Sequence, residues 1–386
     1  FYLNKEVYMQ YRKFGRLDFN VSALGFGCMR LPIIGGDEGN VDEDLTIKMI
    51  RYAIDNGVNY VDTAYGYHRG KSEIVVGKAL KDGYRERTML ATKLPVWHVN
   101  AREDMDRLLN EQLKKLDTDH IDFYLLHSLH KDTWDKVYNL GVLDWIESII
   151  KRGLIRHIGF SFHDDLDTFK RIVDSYDWDF CQIQYNYLDI EHQAGMAGLK
   201  YASNKGLGVV VMEPLRGGKL ANPPDRVREV FDSFPIKRSP VAWALLWLWN
   251  QPEVSTVLSG MSAFEQVKEN IEIADKSGIN ILTEEELSLI ERVREAYLGF
   301  KAIDCNECGY CMPCPNGVDI PKNFHLYNEG VRYNDFNGPR WHYRNEMQES
   351  ERASSCIKCG TCEPQCPQHL PIRELLDKVK AAFENA

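Results

Sequence analysis

The sequence predicts an α/β fold in which a (β/α)8 TIM barrel precedes a small, mostly α-helical domain rich in cysteine. Eight short apolar runs alternate with amphipathic stretches between Leu24 and about Asp275, a pattern typical of parallel strands covered by helices. Eight such units favour a closed barrel over an open sheet. The chain of 386 residues is long enough for one large barrel with an appendage. Eight of its ten cysteines lie between Cys305 and Cys366, which predicts the second domain.

The predicted barrel consists of short strands and amphipathic helices in alternation, preceded by one hairpin. The predicted strands are Ala23–Cys28, Tyr60–Asp62, Thr88–Thr92, Ile121–His127, Ile155–Ser161, Phe180–Gln184, Gly208–Glu213 and Val254–Leu258. The clearest predicted helices are Glu43–Asn56, Ser72–Lys81, Arg102–Leu116, Asp165–Ser175 and Glu265–Ala274. Residues Tyr11–Ala23 are predicted to form an N-terminal hairpin that turns at Gly15. No Gly-x-Gly-x-x-Gly motif follows a strand, which counts against an open dinucleotide-binding sheet.

A change of composition near Gly299 marks the predicted domain boundary. One more amphipathic helix, Thr283–Tyr297, precedes it, and after it cysteine, proline and glycine replace the periodic apolar residues. We therefore expect a barrel domain over residues 9–299, with Met9 as a potential native start, and a cysteine-rich domain over residues 300–386.

Charge and composition exclude several classes of protein. The formal net charge is -10 and no unusual cluster of Lys or Arg is present, which counts against nucleic acid as a partner. No apolar run approaches the roughly 18 residues of a membrane span, and no secretory signal is recognisable. We expect a cytoplasmic protein without a membrane partner, whose cysteines bind metal rather than form disulfides. The sequence predicts no particular oligomeric state.

The clustered cysteines predict two [4Fe–4S] clusters. They form two runs with tight spacing, each followed by proline: Cys305, Cys308, Cys311 and Cys314, then Cys356, Cys359, Cys362 and Cys366. In two-cluster ferredoxins the fourth cysteine of each run binds the other cluster, so Cys314 and Cys366 are the expected crossing ligands. The first run departs from the bacterial ferredoxin spacing, because two residues rather than three precede its last cysteine. The alternative is zinc, but zinc sites use two separated pairs rather than four cysteines in one run.

Polar residues end three consecutive predicted strands. These residues are Asp62, Lys93 and His127, and Tyr67 follows Asp62 by five positions. In a (β/α)8 barrel the carboxyl ends of the strands meet at one mouth, where catalytic groups lie. Taken singly, Asp62 could cap a helix, Lys93 could be solvated and His127 could be a core histidine. Their joint occurrence favours a functional site, whereas the isolated Cys28 and Cys181 fit a barrel core.

Between about Tyr11 and Asp275 the sequence resembles the aldo-keto reductases. Three motifs carry the resemblance. They are Leu-Gly-Phe-Gly-Cys-Met-Arg-Leu-Pro from Leu24, Asp-Thr-Ala-x-x-Tyr from Asp62 with Ser72-Glu73 and Gly77 following, and Gly-Phe-Ser ending at Ser161 in the fifth predicted strand. It implies a catalytic tetrad of Asp62, Tyr67, Lys93 and His127. A nicotinamide would deliver hydride, and Tyr67 would supply the proton. Lys93 is expected to lower the pKa of the Tyr67 phenol, while Asp62 holds Lys93 and His127 orients the carbonyl.

The same resemblance implies positions for the nucleotide. Ser161 and Gln182 would contact the carboxamide, and the loops after strands seven and eight would hold phosphate. These implied contacts are Leu215, Gly217, Gly218, Lys219, Gly260, Ser262, Glu269 and Asn270. Where the family has the cations that bind the 2′-phosphate of NADP, this chain has Gly260 and Gln266, with Lys268 close by, and Met212 stands where many members have an aromatic residue. The choice between NAD and NADP therefore stays open.

The cysteine runs resemble the branch of aldo-keto reductases that carries a C-terminal ferredoxin-like domain. This likeness includes Tyr-Cys-Met-Pro-Cys-Pro from Tyr310 and Gly-Val-x-Ile-Pro ending at Pro321. One hypothesis is a nicotinamide-dependent enzyme for a small-molecule carbonyl or alcohol, whose clusters exchange electrons with a ferredoxin-like carrier or regulate activity. A second is a flavin-containing, cluster-fed reductase of an anaerobe. A third is a non-catalytic electron-transfer or redox-sensing protein. The expected pocket lining is Trp97, Tyr65, Leu129 and Trp134.

Overall fold

Eight parallel strands close into a barrel in the computed structural model of the protein, which describes residues 8–299 and 301–384. An antiparallel hairpin comes first, formed by β1 (Tyr11–Lys13) and β2 (Asn20–Ser22). The barrel strands are β3 (Leu24–Gly27), β4 (Tyr60–Asp62), β5 (Met89–Leu94), β6 (Ile121–Leu129), β7 (Ile155–Phe162), β8 (Phe180–Gln184), β9 (Gly208–Met212) and β10 (Thr256–Gly260). Each pairs with the next in chain order, and β10 pairs with β3 to close the ring. The predicted (β/α)8 barrel is confirmed.

At least one helix follows every barrel strand. These helices are α1 (Glu43–Asp55), α2 (Ser72–Ala79), α3 (Arg102–Leu116), α4 (Lys131–Asn139), α5 (Val142–Lys151), α6 (Leu166–Asp174), α7 (Gly195–Asn204), α8 (Asp225–Asp232), α9 (Pro240–Trp249) and α10 (Phe264–Asp275). The C-terminal helices are α11 (Glu284–Leu298), α12 (Ile320–Tyr333), α13 (Asn337–Asn345) and α14 (Ile372–Phe383). The Asp42 carboxylate accepts the Leu45 N–H over 3.1 Å, which is the capping that starts α1.

Most predicted strands and helices agree with the structure to within a few residues, and the differences have local causes. Strand β5 continues past Lys93, because Leu94 pairs with Leu126 on β6. Strand β10 begins later than the predicted Val254. At that point the Ser255 hydroxyl accepts the Val209 N–H over 3.1 Å, so a side chain takes the place of a strand carbonyl. Regular pairing therefore starts only at Thr256.

The N-terminal hairpin closes one end of the barrel with aromatic side chains. Phe14 is fully buried, and its ring centroid lies 5.0 Å from that of Phe123 and 5.8 Å from that of Phe180. Gly208 allows this packing, because a Cβ built there would lie 2.4 Å from the Phe14 ring. Since Phe180 and Gly208 begin their strands, the hairpin plugs the N-terminal end and leaves the opposite end for the site.

The chain divides into two compact units. The first runs to Gly217 and includes Val241–Thr283, and the second comprises Gly218–Pro240 and the chain from Glu284 onward. The boundary at residue 299 stays a prediction. Residues 300, 385 and 386 of the predicted cysteine-rich domain lie outside the described residues.

The second unit has its own apolar core, formed mainly by α12, α13 and α14. Its buried members include Ile303, Val318, Ile320, Phe324, Tyr343, Met347, Ile372, Leu376, Val379 and Phe383. Six of the eight clustered cysteines are partly buried against this core. The predicted mostly α-helical character is confirmed. Among the described residues, no helix combines the length and apolar character that crossing a membrane requires.

Candidate active site and cysteine cavity

The structure brings the four predicted catalytic side chains together at the C-terminal ends of β4, β5 and β6. The Lys93 ammonium donates to Asp62 Oδ1 over 2.6 Å, and both side chains are buried. The same Nζ lies 5.2 Å from the centroid of the Tyr67 ring. The His127 ring meets the Tyr67 ring edge to face, with centroids 6.0 Å apart. An acid, a cation, a phenol and an imidazole therefore share one site.

Lys93 is also held by backbone atoms that the sequence could not reveal. Its Nζ donates to the Thr63 carbonyl over 2.8 Å, which fixes the ammonium from a second direction. Behind the strand, Gln112 Nε2 donates to the Lys93 carbonyl over 3.0 Å and to Glu73 Oε1 over 2.6 Å. Gln112 interrupts the apolar face of α3, and a polar residue at such a position is the sequence signal that could have identified it.

The electrostatics of the pair favour a charged Lys93. Burial alone would lower the pKa of Lys93, but Asp62 and Tyr67 outweigh it, so the pKa lies above its usual value. Burial raises the pKa of Asp62, and Lys93 opposes that rise. The 2.6 Å separation is the length of a charge-assisted hydrogen bond. Lys93 can therefore act as a fixed cation beside Tyr67.

The pKa of Tyr67 differs from the sequence-based expectation. Burial raises the pKa of Tyr67 above the usual 10.0; Lys93 opposes this rise and the charge of Asp62 adds to it. The prediction that Lys93 lowers the pKa of Tyr67 is correct in direction, but it left out burial, which raises this pKa because it disfavours the phenolate. Tyr67 thus keeps its proton at neutral pH, which is the state a proton donor needs.

His127 is held neutral. Its pKa lies well below 6.5, because burial and the charge of Lys93 both disfavour the imidazolium. Its Nδ1 is buried and has no hydrogen-bond partner among the described residues. The strand pairing is irregular here, between Leu126 and Leu129, so His127 lies within β6 rather than at its end as predicted. The ring can offer an N–H to an oxygen without becoming charged.

Two polar side chains line the adjacent strands β7 and β8. Ser161 is buried, and its hydroxyl oxygen accepts the Ser128 N–H over 2.7 Å, leaving the hydroxyl proton available. Gln182 is also buried, and its Oε1 finds no hydrogen-bond partner in the described part of the chain. An unpaired buried amide oxygen is costly, so a ligand that pairs with it is favoured. These groups fit a carboxamide.

The Arg30 side chain, which the sequence analysis missed, lies beside the loop after β9 and the end of β10. Gly217 has a φ of 67°, and a Cβ built on it would lie 3.1 Å from an Arg30 guanidinium nitrogen. A Cβ built on Gly260 would lie 3.3 Å from Arg30 Cβ. Arg30 comes from the 3-10 turn after β3, and only barrel closure brings it beside both glycines. The three residues together could face a phosphate.

The other predicted nucleotide contacts have varied surroundings. Leu215 follows β9, and Gly218 and Lys219 belong to the second unit, where Lys219 Nζ lies 4.9 Å from the Tyr333 ring centroid. The Ser262 N–H donates to Gln266 Oε1 over 2.8 Å at the start of α10. Asn270 Nδ2 donates to the Ser259 hydroxyl over 3.0 Å, and Glu269 precedes it on the same helix. Their contacts with a nucleotide stay predictions, as do those of the neighbouring Lys268 and Met212.

Aromatic side chains border the tetrad on one side. The Trp97 ring centroid lies 4.9 Å from that of His127, and 43 % of Trp97 is exposed, so it is accessible to a substrate. Tyr65 donates to the Glu111 carboxylate over 3.1 Å. Trp134, in contrast, is buried on α4 against Trp178 and is a core residue rather than the expected pocket residue. Leu129 is fully buried as well.

A cavity in the second unit is lined by cysteines from both runs. It has a volume of about 320 Å³ including its opening to solvent, and its cysteines are Cys305, Cys308, Cys311 and Cys366. Apolar residues such as Phe324 and Ile372 form most of the rest of its wall, together with Asn306 and Gln368. Four thiols around an apolar-walled cavity fit an iron–sulfur cluster. Within the described residues, no three His, Cys, Asp or Glu side chains converge on a single point as ligands of one ion.

Cys314, Cys356 and Cys362 are partly buried against the apolar core of the second unit. Burial raises the pKa of the Cys362 thiol, and the neighbouring Glu363, Cys356 and Cys314 raise it further. Cys28 and Cys181 are fully buried in the barrel, which agrees with their predicted core role.

Two protein families match this chain, and together their matches cover most of its length. Residues 23–295 match the aldo/keto reductase family. Residues 304–370 match the 4Fe-4S dicluster domain. The two matches coincide with the barrel and with the cysteine-rich region.

Known proteins resemble the barrel in sequence and in structure. An uncharacterized oxidoreductase of Bacillus subtilis, YrpG, is 31% identical over 233 residues, which are 55% of this chain and 68% of the relative. The NADH-specific methylglyoxal reductase of Escherichia coli is 28% identical over 73% of this chain and 97% of its own. The holo structure of the aldo-keto reductase AKR11C1 from Bacillus halodurans has a TM-score of 0.64 at 28% identity and covers 75% of this chain and 97% of its own.

Proposed function

The chain belongs to the aldo/keto reductase family, and we propose that it reduces a carbonyl group with NAD(P)H, or runs the reverse alcohol oxidation, with Tyr67 as the proton donor. It is an oxidoreductase with a C-terminal 4Fe-4S dicluster domain. The observation that carries the proposal is the buried Lys93–Asp62 contact of 2.6 Å beside the Tyr67 ring. A phenol held next to a fixed cation can give up a proton and remain stabilised as phenolate.

The side chains of the tetrad divide the work of the reaction. A bound reduced nicotinamide would supply the hydride that the carbonyl carbon accepts, and the two electrons of the reduction would come from it. Tyr67 Oη gives its proton to the carbonyl oxygen, so that the C=O bond becomes CH–OH. Lys93 stabilises the phenolate left on Tyr67, and Asp62 keeps Lys93 charged and in place. His127, held neutral by burial, donates a hydrogen bond to the carbonyl oxygen and orients it.

Gln182 and Ser161 support nicotinamide binding at this mouth. The unpaired Gln182 amide and the free Ser161 hydroxyl proton can pair with a carboxamide. Arg30 adds a cation beside Gly217 and Gly260, where a pyrophosphate would meet glycine backbone. The relative described as an NADH-specific methylglyoxal reductase supports a nicotinamide cofactor and a small carbonyl substrate.

The cysteine-rich region would hold two [4Fe–4S] clusters. Cys366 lies with Cys305, Cys308 and Cys311 around one cavity, which supports exchange of the fourth ligand between the two runs. If the fourth ligands are exchanged, Cys314 would correspondingly join Cys356, Cys359 and Cys362. Bound clusters transfer single electrons, whereas hydride transfer moves an electron pair. Their proposed role is exchange with a ferredoxin-like carrier or control of the barrel.

The test uses holoenzyme purified without oxygen. Iron, sulfide and flavin are quantified on one sample, which is then titrated with NADH and NADPH and assayed with methylglyoxal and an aromatic aldehyde. We expect about eight irons per chain, nicotinamide binding and nucleotide-dependent alcohol formation. Stoichiometric flavin without nicotinamide binding would overturn the proposal in favour of a flavin enzyme.

A further inference from the structure

The backbone turns in an unusual way directly after Tyr67. His68 and Arg69 both have a φ of 52°, and Gly70 has a φ of 83°. Glycine adopts this left-handed conformation freely, but histidine and arginine do so at an energetic cost. Two such residues in succession persist only where surrounding contacts hold them. The segment that carries Tyr67 therefore depends on contacts made by its neighbours.

The His68 ring makes those contacts with both of its nitrogens. His68 is only 8% exposed, and its Nε2 accepts the Leu31 N–H over 3.0 Å. Its Nδ1 lies 3.0 Å from the Glu38 carbonyl oxygen. A backbone N–H can only donate and a carbonyl can only accept, so these partners assign the neutral tautomer with the proton on Nδ1.

Both partners belong to the loop between β3 and α1, which we call the first loop (residues 31–42). The first loop is folded on itself. Ile33 bridges to Val41, and the Ile34 N–H donates to the Asn40 carbonyl over 2.8 Å. One ring thus touches the base of the first loop at Leu31 and its far side at Glu38. The ring joins a folded loop to the residue that follows Tyr67.

We propose that His68 is a positioning residue that fixes Tyr67 by tying its segment to the first loop. The proposal rests on the proposed role of Tyr67 as the proton donor. The ring cannot touch the reacting atoms while both nitrogens are engaged, so it acts through the backbone. A displaced phenol loses its geometry toward both Lys93 and the carbonyl oxygen. Loss of His68 should therefore lower turnover more than nucleotide affinity.

Arg69 offers a matched control on the same stretch of backbone. It has the same φ, and its guanidinium pairs with the Asp37 carboxylate over 3.1 Å, again in the first loop. That pair is mostly exposed, and exposed ion pairs contribute little. Glycine at either position removes the side chain and, to the same extent, the energetic cost of the left-handed backbone. Only the His68 substitution removes the buried bonds.

The experiment compares His68→Gly with Arg69→Gly in anaerobically purified holoenzyme. Hydrogen exchange at the Leu31 amide, nucleotide affinity, kcat and KM are measured for both. For His68→Gly we expect the Leu31 amide to exchange about tenfold faster or more and kcat to fall about tenfold or more. Nucleotide affinity, which Leu31 can affect only through the adjacent Arg30, should fall less than kcat does. Arg69→Gly should resemble the wild type. His68→Asn tolerates the left-handed backbone and can still donate to Glu38, so it should recover part of kcat.

Three results would overturn the proposal. Leu31 exchange could be unchanged in His68→Gly, kcat could fall equally in both glycine variants, or faster exchange could leave kcat untouched. If His68→Gly does not fold, His68→Asn and Arg69→Gly still decide it, because full activity with faster Leu31 exchange in His68→Asn contradicts the proposed coupling. An active Tyr67→Phe variant would refute the donor role but would leave the Leu31 result standing, so the two failures are distinguishable.

Discussion

The Lys93 ammonium donates to the Asp62 carboxylate over 2.6 Å at a point where the two side chains are only 1% and 3% exposed. Two opposite charges buried this deeply are tolerable only as a pair. Neither can be removed alone without leaving the other uncompensated. The pair therefore links the stability of the barrel to the chemistry proposed for Tyr67.

Replacing Lys93 alone should lower the free energy of unfolding more than replacing Lys93 and Asp62 together. Lys93→Met leaves Asp62 buried without its cation, which we expect to cost about 3–5 kcal/mol of unfolding free energy. The Asp62→Asn, Lys93→Met double variant should recover part of that loss. Denaturant unfolding of the three proteins measures the difference. Equal stability of Lys93→Met and wild type would contradict the buried ion pair.

The reduction rate should be nearly independent of pH over a wide window. Burial keeps the pKa of Tyr67 above 10.0, so the phenol holds its proton at any lower pH. Burial and Lys93 keep the pKa of His127 below 6.5, so the imidazole is neutral at any higher pH. We expect a flat kcat for reduction between these values. A limb titrating inside the window would contradict this assignment of protonation states.

Arg30 should contribute to nucleotide affinity. A charge-assisted contact with the pyrophosphate would be lost in Arg30→Ala, and we expect the Kd of the nicotinamide nucleotide that the wild type binds to rise about tenfold. Met29→Ala is the control, since Met29 is the exposed neighbour in the same turn. Fluorescence titration of both variants gives the affinities. An unchanged Kd for Arg30→Ala would remove Arg30 from the nucleotide site.

Cysteine variants should show which thiols share a cluster. Cys366→Ser should alter the same electron paramagnetic resonance signal as Cys305→Ser, because both line one cavity. Cys314→Ser should alter the other signal, together with Cys356→Ser. Cys181→Ala, in the barrel core, should keep the full iron content. If Cys366→Ser instead changes the signal affected by Cys356→Ser, the exchange of ligands between the runs is wrong.

The sequence predicted the barrel and the members of its candidate site because those signals are local. Asp62, Lys93 and His127 each interrupt or end an apolar run, and parallel strands bring such positions together. The cysteine runs are equally local, since their spacing reflects the size of the group they hold. These features need no knowledge of the distant chain.

Other features depend on contacts that no local pattern contains. Arg30 meets Gly217 and Gly260 only after the barrel closes, so nothing in its own segment marks it. The direction of the Tyr67 pKa shift depends on burial and Asp62 acting against Lys93, and these effects exist only in the folded protein. The engagement of both His68 nitrogens likewise depends on the path of the first loop.

The most direct test of the central claim is the rate of deuterium transfer to methylglyoxal in wild type and Tyr67→Phe, using C4-deuterated NADH or NADPH, whichever the wild type binds more tightly. We expect label at the new carbinol carbon in the wild type. In Tyr67→Phe the rate of transfer should fall by at least about 100-fold, because general-acid catalysis contributes about 10²–10⁴-fold. The folding and the iron content of this variant should stay unchanged. Transfer at the wild-type rate in Tyr67→Phe, or no label in the wild-type product, would contradict the account.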